Sequence, residues 1–212
     1  MGFHFTKADV EILEQKTVYQ GYFRLEQLRL RYRLFNGGWS KAVNREVFER
    51  GEAVGVLLFD PERNQLVLIE QFRAGIMLKT ENPWIIEIVA GVIDDDEGQM
   101  VQKELAEQKT ATRETQEETG LTVHNLFFIS RHWVSPGGST ERISLFCGQI
   151  DSSQAQGVHG LANEGEDIRL HVLDVKKAYK LVNEGKFDNA TTIIALLWLQ
   201  QNEKMVRAVW SK

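Results

Sequence analysis

Apolar and polar side chains alternate from Thr17 to Phe35, with Tyr19, Tyr22, Leu25, Leu28, Leu30, Tyr32 and Leu34 at the apolar positions. That period is nearer to strand than to helix. Asn36-Gly37-Gly38 supplies a turn, and residues 42–49 predict a second strand. A small antiparallel element of this kind rarely stands alone, so residues 1–50 are expected to pack on the rest of the chain or to be shared with a second subunit. From Ala53 the pattern changes to near-continuous apolar runs at 54–59, 66–69, 84–92, 126–129 and 143–150. Bounded by turn residues, runs of this length predict buried strands of a mixed sheet, with residues 60–64 as the hairpin loop between the first two. Beyond Val175 the spacing becomes three and four. Residues 175–184 and 189–203 therefore predict helices, the first closed by Gly185 and the second capped by Asp188 or Asn189. Ile193, Ile194, Leu196, Leu197, Trp198 and Leu199 are too many for a narrow stripe, so the second helix is expected to be largely buried. The chain thus reads as α+β, a mixed sheet flanked by helices over residues 51–212 with the N-terminal antiparallel β element before it.

One further helix departs from the apolar pattern. Residues 113–121 read Arg-Glu-Thr-Gln-Glu-Glu-Thr-Gly-Leu. In a helix side chains step by about 100°, so Glu114, Glu117 and Glu118 fall within one sector of about 100°. Such like-charge pairs repel by about 0.2–0.5 kcal/mol each. Gly120 reads as the helix stop, which sets Glu117 and Glu118 at the negative end of the helix dipole. A divalent cation reverses the sign of every one of these terms, and hard oxygen ligands suit Mg²⁺ or Mn²⁺. Arg113, four residues before Glu117, is spaced to hold that carboxylate. Taken alone, the stretch is more often a solvated acidic helix end.

Composition narrows the classes. An apolar fraction of 42% with 26% charged residues is ordinary for a globular protein, and a net charge of −5 with no basic stripe argues against a nucleic-acid binder. The single cysteine, Cys147, sits in an apolar run and excludes an internal disulfide, so a reducing cytoplasm is the default location. No apolar run approaches the roughly 18–20 residues that span a bilayer, and no membrane partner is expected. Two loops hold candidate chemistry. Residues 135–142, Ser-Pro-Gly-Gly-Ser-Thr-Glu-Arg, are a turn with a permissive backbone, within which Glu141 can accept hydrogen bonds from sugar hydroxyls. Residues 157–167 carry Gly157, Gly160 and Gly165, with Glu164, Glu166 and Asp167 in the last four positions. A glycine-rich loop bearing carboxylates fits a closing lid with a general base, and equally an acidic surface loop.

Residues 113–121 resemble the second half of the Nudix box, which runs Gly, five residues, Glu, seven residues, Arg-Glu-aliphatic-any-Glu-Glu-any-Gly-aliphatic. Gly91 to Glu97 fits the first half. Two departures stand out: fifteen residues separate Glu97 from Arg113 where the pattern has seven, and Thr115 occupies an aliphatic position. The added stretch, within residues 98–112, is polar and free of Pro, so it can extend either the loop or the start of the helix without touching the Glu face, and the helix formers from Lys103 to Lys109 suit a longer helix. The segments 135–142 and 157–169, with Phe35-Asn36-Gly37, residues 45–51, residues 68–73 and Asp188-Asn189-Ala190, resemble the ADP-ribose pyrophosphatase branch of that family.

The resemblance implies the Nudix fold, an α/β/α sandwich, and Mg²⁺-dependent hydrolysis of a nucleoside diphosphate sugar. ADP-ribose is the substrate it favours, giving AMP and ribose 5-phosphate, with Mn²⁺ able to replace Mg²⁺. It implies metal ligation by Glu114, Glu117, Glu118 and the Ala90 carbonyl, with Glu118 counted among the catalytic groups. Glu164 is then the base and Glu166 its assistant. Tyr22 of one subunit and Arg73 of the other sandwich the adenine of a homodimer that exchanges its N-terminal elements, and Arg45 approaches the phosphates. Glu46, Gly137 and Glu141 complete the substrate contacts. Two alternatives stand beside this reading: GDP-mannose hydrolysis by the same chemistry, and a catalytically silent domain that binds a nucleotide sugar and regulates a partner.

Overall fold

The structure is a computed structural model and describes residues 4–93 and 100–211. Glu97 and the beginning of the stretch added to the box lie outside the described residues. The chain divides into two units, residues 1–52 with 133–142, and residues 53–132 with 143–212.

In the first unit, β1 (Val10–Gln20), β2 (Arg24–Tyr32) and β3 (Val43–Glu49) form an antiparallel sheet in that order. The alternation from Thr17 to Phe35 is therefore two strands, because the chain reverses at residues 21–23, where Gly21 N–H donates to Phe23 O at 2.9 Å. Its first strand begins seven residues earlier than the alternation does, at Val10. Both faces of β1 are largely exposed, so no inward-outward contrast marks its start. Residues 135–140 are tied to β3: Phe48 N–H donates to Gly138 O at 2.8 Å, and Thr140 N–H to Phe48 O at 3.0 Å.

In the second unit the sheet runs β10 (Val158–His159), β11 (Ile168–Asp174), β5 (Gln65–Phe72), β4 (Glu52–Asp60), β9 (Arg142–Gln149), β8 (Asn125–Trp133). Neighbours pair antiparallel except β9 with β4. There Arg142 N–H meets Gly51 O and Ile150 N–H meets Phe59 O, an offset that stays constant only between parallel strands. The sheet is therefore mixed, as expected. The apolar run 84–92 is divided: β6 (Trp84–Glu87) pairs with β5, and β7 (Val89–Val92) pairs with β4. At the fork Ile88 N–H donates to Thr192 Oγ1 at 3.1 Å.

Alternate residues of the central strands feed two apolar layers. Leu57, Phe59, Leu66, Leu68, Leu145 and Cys147 meet α2 (Val175–Asn183) and α3 (Ala190–Trp210). Val54, Val56, Leu58, Val67, Ile69 and Phe146 meet Ala111 and Leu121 on the other face, where α1 (Met100–Thr119) lies. Asn189 caps α3 by accepting from Thr192 N–H at 2.9 Å, and Leu196 and Leu199 are fully buried, each contributing about 1.5–3 kcal/mol. Helix α1 includes residues 100–112, so the added stretch does lengthen the helix as its composition predicts.

Candidate active site

Helix α1 ends at Thr119, and Gly120, with φ +69°, makes the left-handed exit. No basic residue occupies its last turn. Thr115 and Thr119 turn their hydroxyls back to the carbonyls of Ala111 and Thr115, which explains a Thr at the aliphatic position of the box: its polar atom is satisfied within the helix. Glu118 is 2% exposed, and its Oε2 accepts from Ala90 N–H at 3.2 Å. Arg113 donates to Glu117 Oε2 at 2.7 Å and also lies 2.7 Å from Glu114 Oε1.

Glu114 lies directly over Gly91, where a Cβ would stand 2.0 Å from its carboxyl carbon. Only glycine admits this approach of side chain to strand.

Glu118 and Glu114 are poor anions where they stand. Burial pushes Glu118 up to about 8; the Ala90 N–H and Arg73 oppose the rise, and Glu114 and Glu166 add to it. Burial likewise pushes Glu114 to about 7, against Arg113 and with Glu117 and Glu166. Arg73 and Glu166 are therefore near enough to the acidic face for their charges to act on it.

Glu166 is held there by the 157–167 loop. Gly160 N–H donates to Glu117 O at 3.3 Å, and Leu161 N–H donates to Glu166 Oε2 at 2.9 Å. Gly160 has φ +98°, and a Cβ there would come within 2.7 Å of Glu166 Cβ. Glu164 closes a 3-10 turn, Ala162–Glu164, and is exposed.

Ala90, Glu114, Glu117, Glu118, Glu166 and Arg73 are thus brought together, all within the second unit. Glu164 also belongs to the second unit, and the other predicted residues belong to the first. Tyr22 is 89% exposed, with its ring 4.7 Å from Phe23. Arg45 donates to Asn44 O at 2.8 Å, Glu46 is exposed beside it on β3, Gly137 lies in the turn after Pro136, and Glu141 accepts from Arg50 at 2.9 Å.

Sequence reasoning missed Glu87. It is 5% exposed, and its carboxylate joins Arg73 Nε and Asn189 Nδ2, each at 2.7 Å. Burial raises its pKa and Arg73 opposes the rise. A lone acid inside the apolar run 84–92 was the available signal.

Among the described residues no three His, Cys, Asp or Glu side chains already form a metal-ligating cluster. The geometry gives the reason: Arg113 holds Glu114 and Glu117, and the Ala90 N–H holds Glu118. The donor set nevertheless fits a hard divalent cation. It consists of carboxylate oxygens at a helix C-terminus, and burial, with neighbouring carboxylates adding to it, makes Glu114 and Glu118 resist ionisation without a counter-charge.

A sheet between helices with this acidic helix end defines a class. The NUDIX domain family model matches residues 49–193, and the chain belongs to that family. Among its relatives, the ADP-ribose pyrophosphatase of Escherichia coli (strain K12) is 46% identical over 207 residues, covering 98% of this chain and 95% of that protein. The ADP-ribose pyrophosphatase of Haemophilus influenzae is 41% identical over 212 residues, covering 99% and 94%. A GDP-mannose pyrophosphatase of Pectobacterium atrosepticum is 29% identical over 190 residues, covering 89% and 93%. A solved structure described as an ADP compounds hydrolase superposes with a TM-score of 0.67 at 21% identity, over 92% of this chain and 95% of that one, and supports the fold.

Proposed function

We propose that the protein hydrolyses the pyrophosphate of ADP-ribose to AMP and ribose 5-phosphate with a divalent cation, Mg²⁺ by preference and Mn²⁺ in its place. The observation that carries this reading is the grouping around buried Glu118, which is bonded to the Ala90 N–H, lies beside Glu114 over Gly91, and feels the charges of Glu166 and Arg73. The identity gap between relatives named for ADP-ribose and for GDP-mannose, 46% and 41% against 29–32%, favours the first substrate.

Glu114, Glu117, Glu118 and the Ala90 carbonyl are the groups assigned to hold the cation. When bound, it supplies charge neutralisation at the phosphates and a more acidic attacking water. Glu164 takes the proton of that water, and Glu166, already at the acidic face, assists. The water oxygen forms a bond to phosphorus while the bond from that phosphorus to the bridging oxygen breaks, so the same two products follow whichever phosphorus is attacked. Arg73, fixed by Glu87, and Tyr22 present flat faces suited to a purine. Arg45, Glu46, Gly137 and Glu141 are assigned to the rest of the substrate.

Incubation with ADP-ribose, GDP-mannose, NADH and ADP-glucose in turn, with Mg²⁺ and then with chelator, tests the reading. AMP and ribose 5-phosphate are expected fastest from ADP-ribose and only with metal. Binding of ADP-ribose without turnover would instead indicate a silent regulatory domain.

We also propose that residues 1–50 are exchanged across a homodimer. Ile12, Leu13, Val18 and Tyr19 of β1 are each more than 40% exposed, an apolar surface that a second subunit would cover. Sedimentation equilibrium should give twice the 24.3 kDa chain mass, and a monomer at micromolar concentration would refute the exchange. The single buried cysteine and the absence, among the described residues, of a helix fit to cross a membrane support a cytoplasmic enzyme.

A further inference from the structure

Over its described side chains, helix α1 has little apolar surface with which to hold its orientation. Among them Glu107, Thr110, Ala111, Thr115, Glu118 and Thr119 are buried, yet only Ala111 joins the apolar cluster beneath the helix. With the hydroxyls of Thr115 and Thr119 turned to the helix backbone, two hydrogen-bonded contacts to buried side chains grip the described part of the helix along this face. One is Ala90 N–H to Glu118. In the other, a single nitrogen of Arg131 on β8, Nη2, donates to both oxygens of Glu107, at 2.6 and 2.5 Å. Arg131 is itself fixed: its Nε donates to Ser144 Oγ at 2.9 Å, and its guanidinium lies 5.7 Å from the Phe128 ring centre.

The phase of these contacts matters. Seven residues turn a helix by about 700°, which puts Glu107 about 20° from the line of Glu114, and eleven residues bring Glu118 about 20° to the other side of Glu107. Glu107 is therefore on the Glu face, and it belongs to the stretch added to the box. A roll of about 20° moves a side-chain tip at the helix's outer radius of about 5–6 Å by about 2 Å, comparable to a metal–oxygen bond. Apolar contact tolerates such a roll, whereas a buried charge-assisted pair whose donor is itself pinned to Ser144 does not.

We propose that Glu107 and Arg131 are positioning residues that fix the rotation of α1, so that the added length of helix carries its own clamp for the cation-binding face. The inference rests on the reading that Glu114 and Glu118 hold a divalent cation.

The test is Mn²⁺ binding to chelator-treated protein without substrate, followed by electron paramagnetic resonance of free Mn²⁺, with thermal unfolding measured alongside. Glu107→Gln is expected to weaken Mn²⁺ binding about tenfold, the scale of losing an outer support of a metal ligand. Val206→Ala, a cavity in α3 on the opposite layer, serves as the stability control and is expected to lower the melting temperature while leaving Mn²⁺ affinity at the wild-type value. Wild-type affinity in Glu107→Gln, or equal weakening in Val206→Ala, overturns the inference. Should Glu107→Gln fail to fold, Arg131→Lys keeps the charge and removes the Nε bond to Ser144 that fixes the donor; weakened binding then supports the inference and unchanged binding overturns it. If the wild-type protein binds no Mn²⁺, the metal reading itself fails and takes this inference with it.

Discussion

Glu118→Gln is expected to lower turnover of ADP-ribose by about 10³-fold while leaving the fold intact. The two halves of that expectation have separate causes. Turnover falls because the amide is a weaker donor to a divalent cation and carries no charge to hold it. The fold survives because Glu118 is 98% buried and burial already disfavours its anion, pushing it up to about 8. A neutral side chain of the same shape keeps an oxygen for the Ala90 N–H and loses no favourable charge. Steady-state kinetics with a metal titration, beside thermal unfolding of the metal-free protein, separate the two. Near-normal turnover at saturating Mg²⁺ would remove Glu118 from the metal site.

The second large effect belongs to the loop. Glu164→Gln is expected to cut the rate by about 10²–10⁴-fold, the usual contribution of a general base, with ADP-ribose affinity unchanged because Glu164 is exposed and supports nothing else. Glu166→Gln supplies the contrast. Its carboxylate accepts the Leu161 N–H, so that substitution disturbs the loop as well as the local charge, and affinity and rate should fall together. A normal rate in Glu164→Gln with a collapsed rate in Glu166→Gln would move the base role to Glu166.

Helical periodicity is a local property, and this is why the acidic face was legible before any coordinates. Three spacings and one glycine place Glu114, Glu117 and Glu118, and the Arg113 contact with Glu117 follows from its position four residues earlier. The helix caps were almost as clear, with Asn189 rather than Asp188 selected by its bond to Thr192.

Strand identity was harder wherever it depends on distant partners. Nothing within residues 84–92 tells that the first half pairs with β5 and the second with β4, because both halves are apolar. Strand β11 escaped notice because Arg169 and His171 break its apolar run and an acidic loop precedes it. Its pairing with β5 across a separation of about a hundred residues is what makes it a strand. Glu87 was hidden for the same reason, since its partners Arg73 and Asn189 flank it from 14 residues before and 102 residues after. Glu107 shares the phase of the Glu face, but only Arg131 reveals that the phase is used.

The fork between β6 and β7 has a consequence for exchange with solvent. An amide in a sheet ordinarily reports the opening of its neighbouring strand. The Ile88 amide sits inside the sheet but is bonded to Thr192, so its protection is governed by the first turn of α3. The same turn is capped by Asn189, which holds Glu87 and through it Arg73. A single proton in the middle of the protein therefore keeps time for a helix end, and loosening of the Arg73 support would register there as faster hydrogen–deuterium exchange while the flanking strand amides stay slow.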